Sequence, residues 1–537
     1  MSLIKGVFKY ALILCLLLVG LGVVLGAVMV FFPSVTIFGY KYISYSNSEQ
    51  YISTLSTTET FDSVYIDAKG INISILPAIT SAVSVDNDIS LNGFYKTTSE
   101  QDPDNPITVT EPYVDTLEGG EKVLTYKIEI VSGLINFVSN SVKVYIPLQF
   151  SNIYTNADST EQTLIENENR IPLKNITIIS DNGNVYIDEI EATDENLDIQ
   201  EKITIDGTTG NVAIKNCYAY DVDVTTTTGS ISLGDILSDI PGTEFKGVKN
   251  NLNIESERGK IYLSEEVNIG KSCNITSYLS EIFLNDIKET FTYEGEAAYI
   301  HIGTVTGIVD IDSDNARIII QKVIGTDAEV SANFGKKLSF DIEEIDASNV
   351  AISTESGSIH IGKLKSNSTD ITTTSGAVTI DDLLSGVKVT TASGNIHIVQ
   401  SSILTEEGND VFNTSLRSSY LDLATASGTI NLNNIVGRVD IDITNNGLVF
   451  AKFLEINANS NIVGKNGQIK VGLPIGVYQL ETSSNNSVSV DVVNVQHFTT
   501  KALTVNNIQG ADETSFKVSI TADGGQVIAV NTMNYSA

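Results

Sequence analysis

The sequence predicts an all-β chain: a β-solenoid, a β-helix-like stack of coils about 19 residues long, behind one N-terminal transmembrane helix. Three observations predict it. Beyond position 60, apolar residues alternate with small polar ones, the period of a strand with one buried face. A glycine turn recurs, its short spacings clustered at 18 to 21 residues and its longer ones containing polar inserts. Residues 10–32 form an apolar run without a single charge.

The repeat is clearest in three adjacent copies, around Gly357, Gly376 and Gly394, spaced by 19 and 18 residues. Each has Ser before the glycine and branched apolar residues two and four positions after it: Ile359 and Ile361, Val378 and Ile380, Ile396 and Ile398. The glycine gives the backbone the freedom to turn and start a second short strand. The same pattern surrounds Gly183, Gly210, Gly229, Gly259, Gly307, Gly428, Gly447 and Gly467, with Ser280 in place of glycine in one copy. Gly335 resembles a copy with one inserted residue, followed by Leu338 and Phe340. One coil cannot bury its apolar face alone, whereas stacked coils share a continuous core. At about 4.8 Å per layer, about 15 to 19 coils make a rod on the order of 70 to 90 Å long. Thr225–Thr228, Thr372–Ser375 and Thr390–Ser393 precede the turns and, stacked in register, would form ladders of hydroxyl groups.

At the N-terminus, Tyr10–Phe32 is long enough at 23 residues to span a bilayer as a helix. Its small-residue match at Leu25-Gly26-Ala27 is poor for signal cleavage, so an uncleaved anchor is expected. Lys5 and Lys9 place the N-terminus in the cytoplasm of a single-pass plasma-membrane protein, with the C-terminal domain extracellular. Gly22 and Gly26 form a small-x-x-x-small pattern, a candidate surface for homo-oligomer packing. The expected organisation is a cytoplasmic tail (1–9), a transmembrane helix (10–32), a polar stalk (33–60) and an N-terminal β cap region (61–170). Solenoid repeats (171–500) and C-terminal strands or a cap (501–537) follow. Within the cap region, 96–122 is expected as a polar excursion between strands.

Composition narrows the partners. The chain carries 66 acidic against 32 basic residues, a net charge of −34, which repels nucleic acid and anionic lipid. Three cysteines, Cys15, Cys217 and Cys273, make no disulfide framework, and the last two are expected as buried small hydrophobes. No catalytic, cofactor or metal residue is expected. Gly270-Lys271-Ser272 lacks the earlier glycine of a phosphate-binding loop, since Glu265 stands there. Of His301, His360, His397 and His497, His360 and His397 share the third position after a glycine, with Thr379 between them. They are expected on the outer face, solvated and too far apart to share a metal. Asp310 and Asp312, Asp381 and Asp382, and Asp440 and Asp442 are expected as a charged outer face that keeps the stack soluble, rather than as calcium ligands.

The recurring Ser-Gly-x-Ile-x-Ile units, together with Val142-Lys-Val-Tyr-Ile-Pro147, resemble the family of bacterial proteins named putative adhesins. The resemblance covers roughly residues 60–490. It implies a membrane-anchored β-solenoid at the cell envelope and supplies no catalytic residues. The expected function is a non-catalytic surface protein with an adhesin-like binding or structural role, anchored in the lipid bilayer through residues 10–32. A glycan or an envelope protein is the expected ligand. Two rivals remain: a polysaccharide-active β-helix enzyme, which requires acidic and basic residues clustered in one groove, and the ectodomain of an envelope-stress regulator.

Overall fold

In the computed structural model the alternation becomes strand almost everywhere. The structure describes residues 2–31, the strands and turns named below between 36 and 233, and residues 247–532 apart from 249, 264–267, 401, 405–409, 413, 493–499 and 504–513. The chain divides into two compact units, Met1–Lys246 and Gly247–Ala537, both mostly β.

The first unit opens with an α-helix, Ser2–Phe31, so the helix begins within the expected tail. Leu16, Leu17, Leu21, Val23 and Val24 are exposed on it, as is Cys15. Among the described residues no helix is long and apolar enough to cross a membrane. Its side chains are described without a break only from Cys15 to Leu25. The expected span is longer than that stretch, and it enters the proposal below.

Beyond the helix, strands stack in parallel rows: Ile190–Ala192 pairs with Cys217–Ala219, and two longer rows run beside them in sequence. One row runs Ser63–Ala68, Asn175–Ser180, Lys202–Gly207 and Asp221–Thr226. The other runs Asn72–Pro77, Val185–Ile187, Val212–Ile214 and Ile231–Leu233. Inward residues such as Ile66, Ile178, Ile205 and Val224 are at most 1% exposed. Burial that complete contributes about 1.5–3 kcal/mol per side chain.

The start of this unit departs from the expected layout. Ser63–Ala68 also pairs in parallel with Lys122–Ile130, and Asn72–Pro77 with Gly133–Ile146. Residues 63–77 therefore lie between 122–146 and 175–187, although they come first in sequence. The expected stalk at 33–60 contains a 13-residue strand, Tyr40–Ile52. It is antiparallel to Ser84–Lys96, which is antiparallel in turn to Gly133–Ile146. Tyr and Ile favour a pleated surface even among serines, a preference that a polar composition hides. The expected excursion at 96–122 likewise contains Ile107–Val109 and Tyr113–Thr116, both antiparallel to Lys122–Ile130.

In the second unit, Ser272–Ile287, Thr290–Val305, Ile308–Ile324, Glu329–Thr354 and Gly357–Thr373 pair in parallel, each with the next. Shorter strands continue the series from Val378–Leu383 to Ser460–Leu473. Register corrects two copies of the repeat. Leu338 lies opposite Gly357, so the residues opposite Ile359 and Ile361 are Phe340 and Ile342, not Leu338 and Phe340. Val309 and Ile311 after Gly307 are buried, but they oppose Phe291 and Tyr293. In that strand Ile318 and Ile320 are the residues that oppose Phe340 and Ile342. Alternation has the same period on every side of the stack, so a glycine followed by x-Val-x-Ile does not reveal which side it belongs to.

The far end mirrors the beginning. Lys517–Ala522 and Gln526–Asn531 pair with Ser460–Leu473 on one edge and with Gln479–Asp491 on the other. Thr500–Leu503 runs antiparallel along Gln479–Asp491. The strands at 517–531, expected within a terminal cap, are thus held inside the sheet.

The glycine corners explain the repeat, for a different reason from the one expected. A methyl group on Gly210 would sit 1.7 Å from the carbonyl oxygen of Gly183, and one on Gly229 equally close to that of Gly210. In the second unit the same holds at 1.9 Å for Gly376 over Gly357, 1.8 Å for Gly394 over Gly376 and 1.9 Å for Gly428 over Gly394. The column continues through Gly447 and Gly467 to Gly525. Gly467, at φ 111°, also needs glycine for its backbone, whereas Gly183, Gly210, Gly229, Gly376, Gly394 and Gly428 have no positive φ. What they need is space: each layer presses directly on the backbone of the one before.

A buried hydroxyl three residues earlier completes six of these corners, whereas Gly207 and Gly464 stand at that place before Gly210 and Gly467. Thr373, Thr391 and Thr425 accept from the N–H of Gly376, Gly394 and Gly428 at 2.8–2.9 Å, and Ser256 accepts from Gly259. Ser180 and Thr226 instead donate to the carbonyls of Gly183 and Gly229. Thr354, Thr373, Thr391 and Thr425 stand opposite one another in register. A second ladder follows the glycines. The side-chain oxygen of Asn72 accepts from the Asn184 N–H, that of Asn184 from Asn211 and that of Asn211 from Ser230.

Two stability predictions follow from the corners. Gly394→Ala is expected to lower unfolding free energy by about 1–3 kcal/mol or more, as overpacking does. Exposed Ala392→Ser in the same bend is expected to leave the urea midpoint unchanged, and an unshifted midpoint for Gly394→Ala refutes the close-approach explanation. Thr391→Val keeps the shape but strands the Gly394 N–H, at an expected cost of about 1–3 kcal/mol in the same measurement.

Candidate binding groove

Before Gly357 the column holds no glycine, and register carries it back to Ile261 rather than to Gly259. Ser280, Ala298, Ala316 and Leu338 occupy its position, each opposite the next and Leu338 opposite Gly357. Strands 272–287, 290–305 and 308–324 are continuous here, as 438–453 and 460–473 are across Gly447 and Gly467. An open groove of about 800 Å³ lies along this stretch, its floor formed by small residues including Ala297, Ala298, Ala316 and Gly357. Around them stand Lys260, Glu281, Tyr299 and Arg317.

Alternation explains why these residues face outward. Ile282 and Leu284, Ile300 and Ile302, and Ile318 and Ile320 fill the core, so the residues between them form outer columns. One column runs Glu281, Tyr299, Arg317, Ser339; its neighbour runs Phe283, His301, Ile319, Asp341, His360, Thr379, His397. Stacking by layers therefore gathers an aromatic cluster. The Phe283 ring centre lies 6.1 Å from that of Tyr262, 5.5 Å from Tyr299 and 6.2 Å from His301. The Arg317 guanidinium lies 5.5 Å from the Tyr299 ring centre, within cation–π range. Tyr262 is 46% exposed, a large aromatic surface left to solvent.

The charges in the groove stand out against their surroundings. On neighbouring columns cations are engaged by the carboxylate of the adjacent layer: Lys363 with Glu344 at 2.8 Å, Lys365 with Asp346 at 2.8 Å, Lys388 with Asp370 at 2.9 Å. Lys260 and Arg317 have no ion-pair partner among the described residues. Ser280 and Gly357, two of the turn positions in the sequence, line this site. Spacings of 18 residues from Glu281 to Tyr299 to Arg317, and from Phe283 to His301, were also present. The misassigned copy at Gly307 concealed them.

The histidines lie as follows. Register places His360 opposite Thr379 and Thr379 opposite His397, which keeps the two rings apart. His360 is not simply solvated: its Nδ1 is 2.8 Å from Asp341 and its Nε2 is 2.8 Å from Asp381. The hydrogen bond to Asp381 is the largest influence raising its pKa; that to Asp341 adds to it and partial burial opposes both. His301 belongs to the aromatic cluster, and His497 lies outside the described residues.

Of the acidic pairs, Asp310 and Asp312 are exposed, Asp381 holds His360, and Asp440 accepts from Arg438 and, at 2.9 Å, from Tyr420. Among the described residues no group of three or more His, Cys, Asp or Glu is placed to hold a metal ion. Cys273 is fully buried and its thiol is pushed far above its ordinary pKa by that burial, which leaves it chemically inert. The side chain of Cys217 lies outside the described residues. Gly22 faces open space on the helix.

Compared with protein-family models, curated proteins and solved structures, the chain matches none.

His360 yields a pH prediction. Its folded pKa is raised, so its stabilising contribution is complete below about 6.5, the ordinary imidazole value, and is lost as pH rises through the folded value. An NMR titration is expected to place the His360 ring above the ordinary imidazole value. Asp381→Asn is expected to bring it down more than Asp341→Asn does. A His360 titration unchanged by either substitution would refute the bridge.

Proposed function

We propose that the parallel stack of each unit is a length of β-solenoid, and that the chain displays it outside the cell from a membrane anchor at residues 10–32, as an adhesin-like binding protein of the envelope. The observation that carries this reading is the groove of the second unit. It offers aromatic surface and unpaired polar groups, the composition of a recognition site. Layers of this kind suit an extended ligand, because equivalent outward positions recur at about 4.8 Å. The anchor rests on the uncharged run from Tyr10 to Phe32 and on Lys5 and Lys9 before it; Gly22 and Gly26 offer the helix a surface for a second copy. The repeated Ser-Gly-x-Ile-x-Ile units support the resemblance to the adhesin family.

The rival reading as a polysaccharide-active enzyme gains support from the same groove, which does bring Lys260, Glu281 and Arg317 together. If it cleaves, soluble fragments appear from a polysaccharide substrate and Glu281→Gln abolishes them. The binding reading predicts retention without release.

For the binding reading, the full chain is produced in a bacterial host and intact cells are treated with protease. Residues 247–532 are expected to be cut while an N-terminal tag stays protected. The same cells are expected to be retained on a panel of immobilised polysaccharides, with at least tenfold lower retention for Tyr299→Ala. Protection of both ends from protease sinks the display; retention indifferent to Tyr299 sinks the groove.

A further inference from the structure

We infer that the groove takes a glycan chain bearing carboxylate groups, laid across the strands. This inference rests on the binding reading above and names the ligand.

Charge is the first argument. The chain carries −34 overall, yet the groove is lined by Lys260 and Arg317 against the single carboxylate of Glu281. Neither cation is spent on an ion pair among the described residues, whereas Lys322, Lys363 and Lys365 are. An anionic group on the ligand is what these two cations lack, and Arg317 offers the planar donor fork that fits a carboxylate.

The second argument is the aromatic surface. A sugar ring has one face of C–H groups edged by hydroxyls, so it stacks on an exposed aromatic ring and donates hydrogen bonds at its rim. Tyr299 supplies a ring in the groove and exposed Tyr262, opposite Glu281 in register, one beside it, while Glu281 accepts from hydroxyls. The ring of Tyr299 is already backed by Arg317, so one sugar unit meets stacking surface and cation together.

Shape provides the third. The groove is open along its length and crosses successive layers at about 4.8 Å each, close to the advance of one sugar unit in a chain. A broad protein partner meets an obstacle beside it: the adjoining hollow is lined by Glu257, Glu294, Glu296, Asp312 and Asp314. That acidic rim repels a wide acidic surface, a second copy of this chain included. A narrow chain confined to the groove avoids it. Nucleic acid, with a phosphate at every unit, carries more charge than two cations answer.

The test uses the full chain in detergent and isothermal titration against uronic-acid oligosaccharides of several backbones. Their methyl esters have the same shape without the charge. The acids are expected to bind at least tenfold tighter than their esters. Arg317→Gln and Lys260→Gln are expected to erase that preference, and Tyr299→Ala to weaken acid and ester alike. Far-ultraviolet circular dichroism and the urea midpoint show whether each variant is folded. If acids and esters bind equally, the carboxylate assignment is overturned and the groove remains a glycan site. If no oligosaccharide binds at all, both this inference and the binding reading fail.

Discussion

Backbone against backbone is the constraint on which the second unit depends. From Gly357 to Gly525 each corner packs its glycine on the carbonyl of the corner before it, leaving no room for a Cβ. The buried threonine three residues earlier, at Thr373, Thr391 and Thr425, then satisfies the N–H that this crowding shuts away from water. Close approach and hydrogen bond need each other. Without the hydroxyl the corner would bury an orphan donor, and without the glycine the layers could not close to strand spacing.

The candidate site arises where that rule is relaxed. Ser280, Ala298 and Ala316 stand in the column that holds glycine in later layers, and the outer columns beside them carry Tyr262, Phe283, Tyr299 and Arg317. Elsewhere the outer columns hold Lys–Glu and Lys–Asp pairs between adjacent layers. Exposed pairs of this kind contribute little to stability, about 0–1 kcal/mol each.

Much of this was legible in the sequence, and the limits have physical causes. The strands, their inward residues and the spacing of Gly357, Gly376 and Gly394 followed from alternation, because burial selects Ile and Val at every second position. The register of His360, Thr379 and His397 followed as well. The sidedness of Gly307 did not, since all sides of the stack share one period. Leu338 was misplaced because an inserted residue shifts the pattern without leaving a mark of its own. The strand Tyr40–Ile52 was hidden by its serines, and the order of layers at both ends depends on pairings between residues far apart in sequence. The groove was invisible for the same reason: Lys260, Glu281, Tyr299 and Arg317 are neighbours only once the layers are stacked.

At both ends the layer order differs from the chain order: residues 63–77 are enclosed by 122–146, and 517–531 by 479–491. Gene duplication lengthens a repetitive protein most simply by copying a unit at its border. Here a unit copied at either border would fall inside an interlocked pair and break it. Within each unit, a copied layer is therefore accommodated only outside the enclosed strands, whose pairing on both edges leaves them no free neighbour.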